Sequence, residues 1–210
     1  MKRTVSIAAL ILCLGMLSAC GAARPSKYYQ LTIPGGTNGA GADPAPYSVT
    51  LLLGRMTTSD LYRDDRIVYT FDGPAMGTYE YHRWAEPPSE MIDDVMLRDL
   101  QSSGRYQNVL PLRSDARGDY LLRGHLYDLR EIDGKALVAR VTFEFDLCDV
   151  KTGNIVWNHY YSHDDPVNSR DVSEVVEALD RNVQRGLNEV TDDLNRYFLT
   201  SSSASSTTIR

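Results

Sequence analysis

The chain has 210 residues, 42% hydrophobic, 24% charged and 9% aromatic, the proportions of a globular domain rather than of a fibrous or disordered chain. Its 22 basic side chains stand against 28 acidic ones, a formal charge of −6, which argues against a protein that grips nucleic acid by its phosphates. The length fits one domain with short extensions.

Lys2 and Arg3 precede the apolar run from Ile7 to Leu14, and small residues follow. A basic start, a short apolar stretch and a small-residue cut site make residues 1–19 a secretory signal. Ser18, Cys20 and Gly21 arrive before the roughly 20 apolar residues that a membrane span needs. Leu17-Ser18-Ala19-Cys20 is similar to the bacterial lipobox. That resemblance implies a diacylglycerol thioether on Cys20, cleavage before it, and acylation of the new amino terminus, typically by palmitate. Several acyl chains anchor a chain far more durably than one. Gly21, where an inner-membrane retention signal would carry Asp, implies the outer membrane. Loss of Lys2 and Arg3 from the 22 leaves 20 basic side chains against 28 acidic, a formal −8. With Cys13 removed and Cys20 modified, Cys148 is the single free thiol, so the fold is expected to stand without an internal disulfide.

Residues 20–27 read as a lipidated tether, 28–199 as the folded domain and 200–210 as a disordered Ser/Thr-rich tail. Tyr28 to Ile33 is a first strand, and Gly35 to Pro46 is a flexible Gly/Ala-rich loop. Gly36, Gly39 and Gly41 lack the order of a dinucleotide-binding turn. Strands follow at Tyr47–Leu53, Arg66–Phe71 and Tyr79–Trp84, then Pro87-Pro88 ends the extended run and Ser89 opens a helix. Met91, Ile92, Val95, Met96 and Leu100 form its apolar stripe, its acids lie on the other face, and Gly104 stops it. Tyr120–Arg130, Leu137–Leu147 and Ile155–Ser162 read as consecutive antiparallel strands, joined by turns at Asp133-Gly134 and Lys151 to Asn154. Leu137, Ala139, Val141, Phe143, Phe145 and Leu147 form the inward set of the middle strand. Asp171 and Glu174 resemble a capping box, after which Val172, Val175, Val176, Leu179, Val183, Leu187, Val190, Leu194 and Phe198 keep one helical stripe. The expected fold is α+β: a largely antiparallel sheet covered on one face by two helices, one of them a long C-terminal helix.

Chemistry is sparse. His159 and His163, beside Asp164 and Asp165, lie about 13 Å apart on an extended strand, too far to share an ion. The chain has no G-x-S-x-G, H-E-x-x-H, C-x-x-C or P-loop, and no cofactor is implied. The Asp-Asp pairs at 64/65, 93/94, 164/165 and 192/193 read as solvated surface charge, and Cys148, near Glu144 and Asp146, as inert. Tyr79-Glu80-Tyr81-His82-Arg83-Trp84-Ala85-Glu86-Pro87-Pro88 stands out, because aromatic residues and Arg are enriched in the anchors of protein interfaces. The same segment reads equally as a core strand with satisfied polar tips.

The lipobox, Ser26 to Leu31, the segment from Tyr79 to Met91, Asp119-Tyr120-Leu121-Leu122-Arg123-Gly124 and Asp149 to Trp157 together resemble the ABC-type transport auxiliary lipoprotein family, over roughly residues 25–195. The Gly35–Ala45 loop is long for it. The resemblance implies a non-enzymatic periplasmic subunit that accompanies an ABC ATPase, a permease and a mammalian-cell-entry (MCE) domain protein in lipid movement between membranes. Docking to the MCE protein is expected to use Tyr79, Tyr81, Arg83, Trp84 and Pro87. Two other readings stand beside it: a module holding an acyl chain between sheet and long helix, which requires an apolar cavity of about 300–1,000 Å³, and an enzyme, which requires His82 or His125 buried beside a carboxylate in an open cleft. Self-association is one way to cover an edge strand, without fixing a subunit number.

Overall fold

The computed structural model describes residues 24–33, 47–71, 73–113 and 115–206. The signal, Cys20 and the Gly35–Pro46 loop lie outside the described residues.

One sheet contains nine strands: β1 (Lys27–Tyr29), β2 (Tyr47–Leu53), β3 (Thr57–Thr58), β4 (Arg66–Phe71), β5 (Met76–Trp84), β6 (Tyr106–Pro111), β7 (Tyr120–Asp133), β8 (Leu137–Asp149) and β9 (Ile155–Pro166). Among the described residues, two α-helices, α1 (Pro88–Ser102) and α2 (Val172–Ser206), and a 3-10 turn at Asp60–Tyr62 accompany the sheet. β7 is its spine. One edge pairs with β8 along the whole strand, from Tyr120↔Asp149 to Asp133↔Leu137. The other edge takes β2, β3 and β4 in succession, at Leu53↔Leu122, Thr57↔His125 and Phe71↔Asp133.

The β7–β8–β9 meander is antiparallel, as its turns predict. Gly153, at φ +72°, takes the left-handed conformation that closes the second turn, where the Asp149 carboxylate accepts from the Lys151 and Thr152 amides. The sheet as a whole is nevertheless not largely antiparallel. Five of its eight pairings are parallel and three antiparallel. Turn residues announce only pairings between consecutive strands; the parallel ones join segments distant in sequence and leave no local signature.

Both apolar stripes are buried in one core. Met91, Ile92, Val95, Met96 and Leu100 of α1, and all nine predicted stripe residues of α2, are buried against the sheet. Ala139, Val141, Phe143, Phe145 and Leu147 meet them from β8, while Leu137 is half-buried. Pro88 occupies the first turn of α1, where a missing N–H costs nothing. Asp171 caps α2 by accepting from the Ser173 amide at 3.0 Å. The helix backbone continues to Ser206, into the segment read as tail. After β1 the chain leaves the sheet and lies along α2, where the Thr32 amide and hydroxyl donate to Asp180 at 2.9 and 2.6 Å and Gln184 donates to the Thr32 carbonyl.

Candidate functional site

The aromatic segment lies on β5, between β4 on one edge and the short β1 on the other. The β4–β5 ladder jumps from Val68↔Thr78 to Arg66↔Arg83, so the four residues from Tyr79 to His82 face the single residue Ile67. Such a bulge frees side chains from strict alternation and re-aims them. Trp84, just beyond it, is 1% exposed. The expectation that Trp84 meets a partner is corrected: it belongs to the core and fixes the base of the bulge.

The other members of the segment divide between anchoring and display. Arg83 donates from Nη1 to Asp65 Oδ1 at 2.7 Å, pinning β5 to the turn before β4. Pro87 is half-buried, and its carbonyl accepts from the Glu90 and Met91 amides at the start of α1. The Tyr79 hydroxyl donates to Glu131 Oε2 at 2.6 Å, and its ring lies 4.9 Å from that of Tyr69. Burial and the Glu131 carboxylate push the Tyr79 phenol up, so it stays a neutral donor. Burial likewise raises the Glu131 carboxyl, against the lowering effect of that hydrogen bond. Gly77 makes the Tyr69 ring possible, since a Cβ there would lie 2.5 Å from Tyr69 Cζ. His82 Nδ1 lies 2.8 Å from the Tyr29 hydroxyl, with the two rings stacked at 13°. Tyr81 is displayed, 36% exposed, with its phenol pushed up by a hydrogen bond to Glu80.

Two open clefts flank the bulge and share Tyr79 and Glu80. One, of about 520 Å³, is completed by Tyr69, Phe71, Glu131 and Arg170; the other, of about 430 Å³, by Arg24, Lys27, Tyr81 and His82. Neither gathers a nucleophile with a base. His82 faces a phenol, and His125 Nδ1 faces the Thr57 hydroxyl at 2.7 Å. His159 and His163 have separate carboxylate partners, Asp193 and Asp165. Among the described residues no group of three or more His, Cys, Asp or Glu side chains is placed to hold a metal ion. What the bulge displays is aromatic surface, its hydrogen-bond donors being paired with Glu131, Asp65 and Glu80.

A third cleft, of about 380 Å³, lies between the loop after β2, the start of α1 and the end of β6. Asp93 lines it, accepts from the Met56 amide at 2.8 Å, and has its carboxyl pushed up to about 7, mainly by burial. The reading of the Asp-Asp pairs as solvated is corrected for three members. Asp93 is partly buried, Asp165 is 7% exposed and paired with Arg185 of α2, and Asp193 receives the Trp157 indole and His159. In these three pairs one member turns inward while its neighbour stays exposed, and hydropathy does not reveal which.

Among the described residues no helix is long and apolar enough to cross a membrane. The model of the ABC-type transport auxiliary lipoprotein component family matches residues 29–191. No curated protein matches the sequence. Among solved structures, a Xanthomonas campestris protein of the DUF330 family is similar with 19% identity and a TM-score of 0.70, over 86% of this chain and 99% of that one. The crystal structure of an uncharacterized protein is similar with 13% identity and a TM-score of 0.61, over 81% of this chain and 99% of that one. Both likenesses are of fold.

Proposed function

Because the chain belongs to the family of ABC-type transport auxiliary lipoprotein components, we propose that it is a non-catalytic periplasmic subunit, anchored at the outer membrane, of an ABC/MCE-type system that moves lipid across the envelope. Cys20 carries the lipid anchor. The domain docks to the MCE partner through the β5 bulge, and ATP hydrolysis belongs to other subunits.

The observation that carries this reading is the bulge itself. Trp84 and Arg83 fix its base while Tyr81 is displayed beside the short edge strand β1, whose Tyr28 is 63% exposed. Exposed aromatics of this kind serve as interface anchors. The alternative, an acyl chain carried between sheet and long helix, is disfavoured at Gly186, where a Cβ would lie 2.6 Å from Phe143 and 2.7 Å from Tyr161. Helix and sheet are in contact there, with no room for a chain.

Capture from detergent-solubilised membranes tests the proposal. The wild type is expected to co-purify with an MCE-domain protein and ABC subunits, and the Tyr28→Ala/Tyr81→Ala double variant to lose most of that yield. If the wild type captures neither, the docking role fails.

A further inference from the structure

β1 runs parallel to β5, with Lys27 opposite His82 and Tyr28 opposite Arg83. Stepping back from Lys27 toward the amino terminus therefore moves along β5 toward its first residue, Met76. Arg24 and Pro25 indeed share a cleft with Tyr79 and Glu80. Only four steps separate Arg24 from Cys20, a reach of at most about 14 Å. An anchor at Cys20 thus holds one particular end of the sheet at the bilayer, the end where the β4–β5 hairpin turns.

That hairpin turn exposes two large apolar side chains at this end. Phe71 is 61% exposed and Met76 47%, and Pro74 and Ala75 between them are exposed as well. Gly73, at φ +104°, supplies the backbone conformation of the turn. Lys135 is exposed in the neighbouring β7–β8 turn, next to Asp133, which pairs with both Phe71 in the sheet and Arg170 in an ion pair. Two large exposed apolar side chains at a tip, with charges of both signs around them (Asp72 between them in sequence, and Asp133, Lys135 and Arg170 beside them), suit the boundary between headgroups and acyl chains.

We propose that the β4–β5 hairpin is a second membrane contact, with Phe71 and Met76 inserted into the interface of the bilayer that holds Cys20. The inference rests on the reading of Cys20 as the anchor. One anchor leaves a domain free to swivel; a second contact fixes its orientation, so that the β5 bulge is presented at a defined tilt to a partner in the periplasm.

The test uses the mature lipidated protein in phosphatidylcholine vesicles containing brominated lipid, with tryptophan fluorescence as the readout. Phe71→Trp is compared with wild type, in which Trp84 and Trp157 set the background, and with Leu112→Trp. Leu112 is 47% exposed and follows Pro111, which pairs with Leu53 at the level of Leu122, so it lies roughly 30 Å along the sheet from the level of Asp133. The added fluorescence of Phe71→Trp is expected to fall at least twofold with brominated lipid, and that of Leu112→Trp to stay unchanged; Met76→Trp gives the same reading should Phe71→Trp fail to fold. If the protein floats with the vesicles while the tip residues are quenched no more than Leu112→Trp, or respond only to an added protein partner, the second contact is overturned and the anchor stands. If mass spectrometry of the amino-terminal peptide finds no acyl group on Cys20, the anchor reading falls and the inference with it.

Discussion

The Tyr79 hydroxyl meets Glu131 Oε2 at 2.6 Å, joining β5 to β7 across the intervening strand β4. Glu131 is 5% exposed, and the phenol is the donor that makes its burial tolerable. Tyr79→Phe removes that donor. The Glu131 carboxyl is already raised in the folded chain, so its contribution to stability is present at low pH and is lost as pH rises through the folded value. The variant is expected to lose about 1–3 kcal/mol at pH 8 and less at pH 4, as measured by urea titration at the two values.

Asp93 has the same sign. Its folded carboxyl, at about 7 against an ordinary 3.8, keeps a proton that the unfolded chain gives up. Its contribution is complete below about pH 4 and disappears as pH passes about 7. Asp93→Asn keeps an acceptor for the Met56 amide and removes the titration. The variant is expected to be more stable than wild type at pH 8 by on the order of 2 kcal/mol, with the gap narrowing as pH falls and closing only at about pH 3.5. Equal gaps at both values would assign the effect elsewhere.

Trp84 and Tyr81 separate core from display. Trp84→Ala is expected to cost about 3–5 kcal/mol through the cavity it leaves. Tyr81→Ala should stay within about 0.5 kcal/mol of wild type while reducing partner capture. Thermal melts of both variants beside the capture assay decide between these roles.

Gly186 sits in a helix interior, where Ala is favoured by about 1 kcal/mol. Gly186→Ala should nonetheless destabilise by about 1–3 kcal/mol, because the new methyl meets the Phe143 and Tyr161 rings. A stabilised variant, seen by calorimetry, would mean that helix and sheet are not in contact at that point.

Periodicity made much of this fold legible. The stripes of both helices and the inward set of β8 could be read because each repeats with the geometry of its element, and the hairpin turns because Gly and Asp mark them. β3 and β6 were not anticipated. β3 has two residues, too few for any period, and β6, with the sequence Tyr-Gln-Asn-Val-Leu-Pro, buries only Tyr106 and Val109. At the candidate site the aromatic segment was visible by composition, but the bulge was not, since it depends on register with β4. Tyr29 and Glu131 come from strands whose proximity to β5 no local pattern encodes. Trp84 could be read either as anchor or as core, and only the position of the bulge assigns it to the core.

The two edges of β7 differ in how far the chain must travel to fill them. β8 and β9 follow β7 directly, joined by short turns, whereas β2, β3 and β4 come from residues 47–71 and β1 from farther back. Pairings that close short loops form early and those that close long ones form late. The meander with α2 is therefore expected to behave as the kinetically rigid half of the protein, and the β1–β5 edge as the half that opens first. In native-state hydrogen exchange the amides of β8 should be the slowest and those of β1 among the fastest. The proposed docking surface would then be the part of the molecule with the lowest opening free energy, and a bound partner would slow its exchange most.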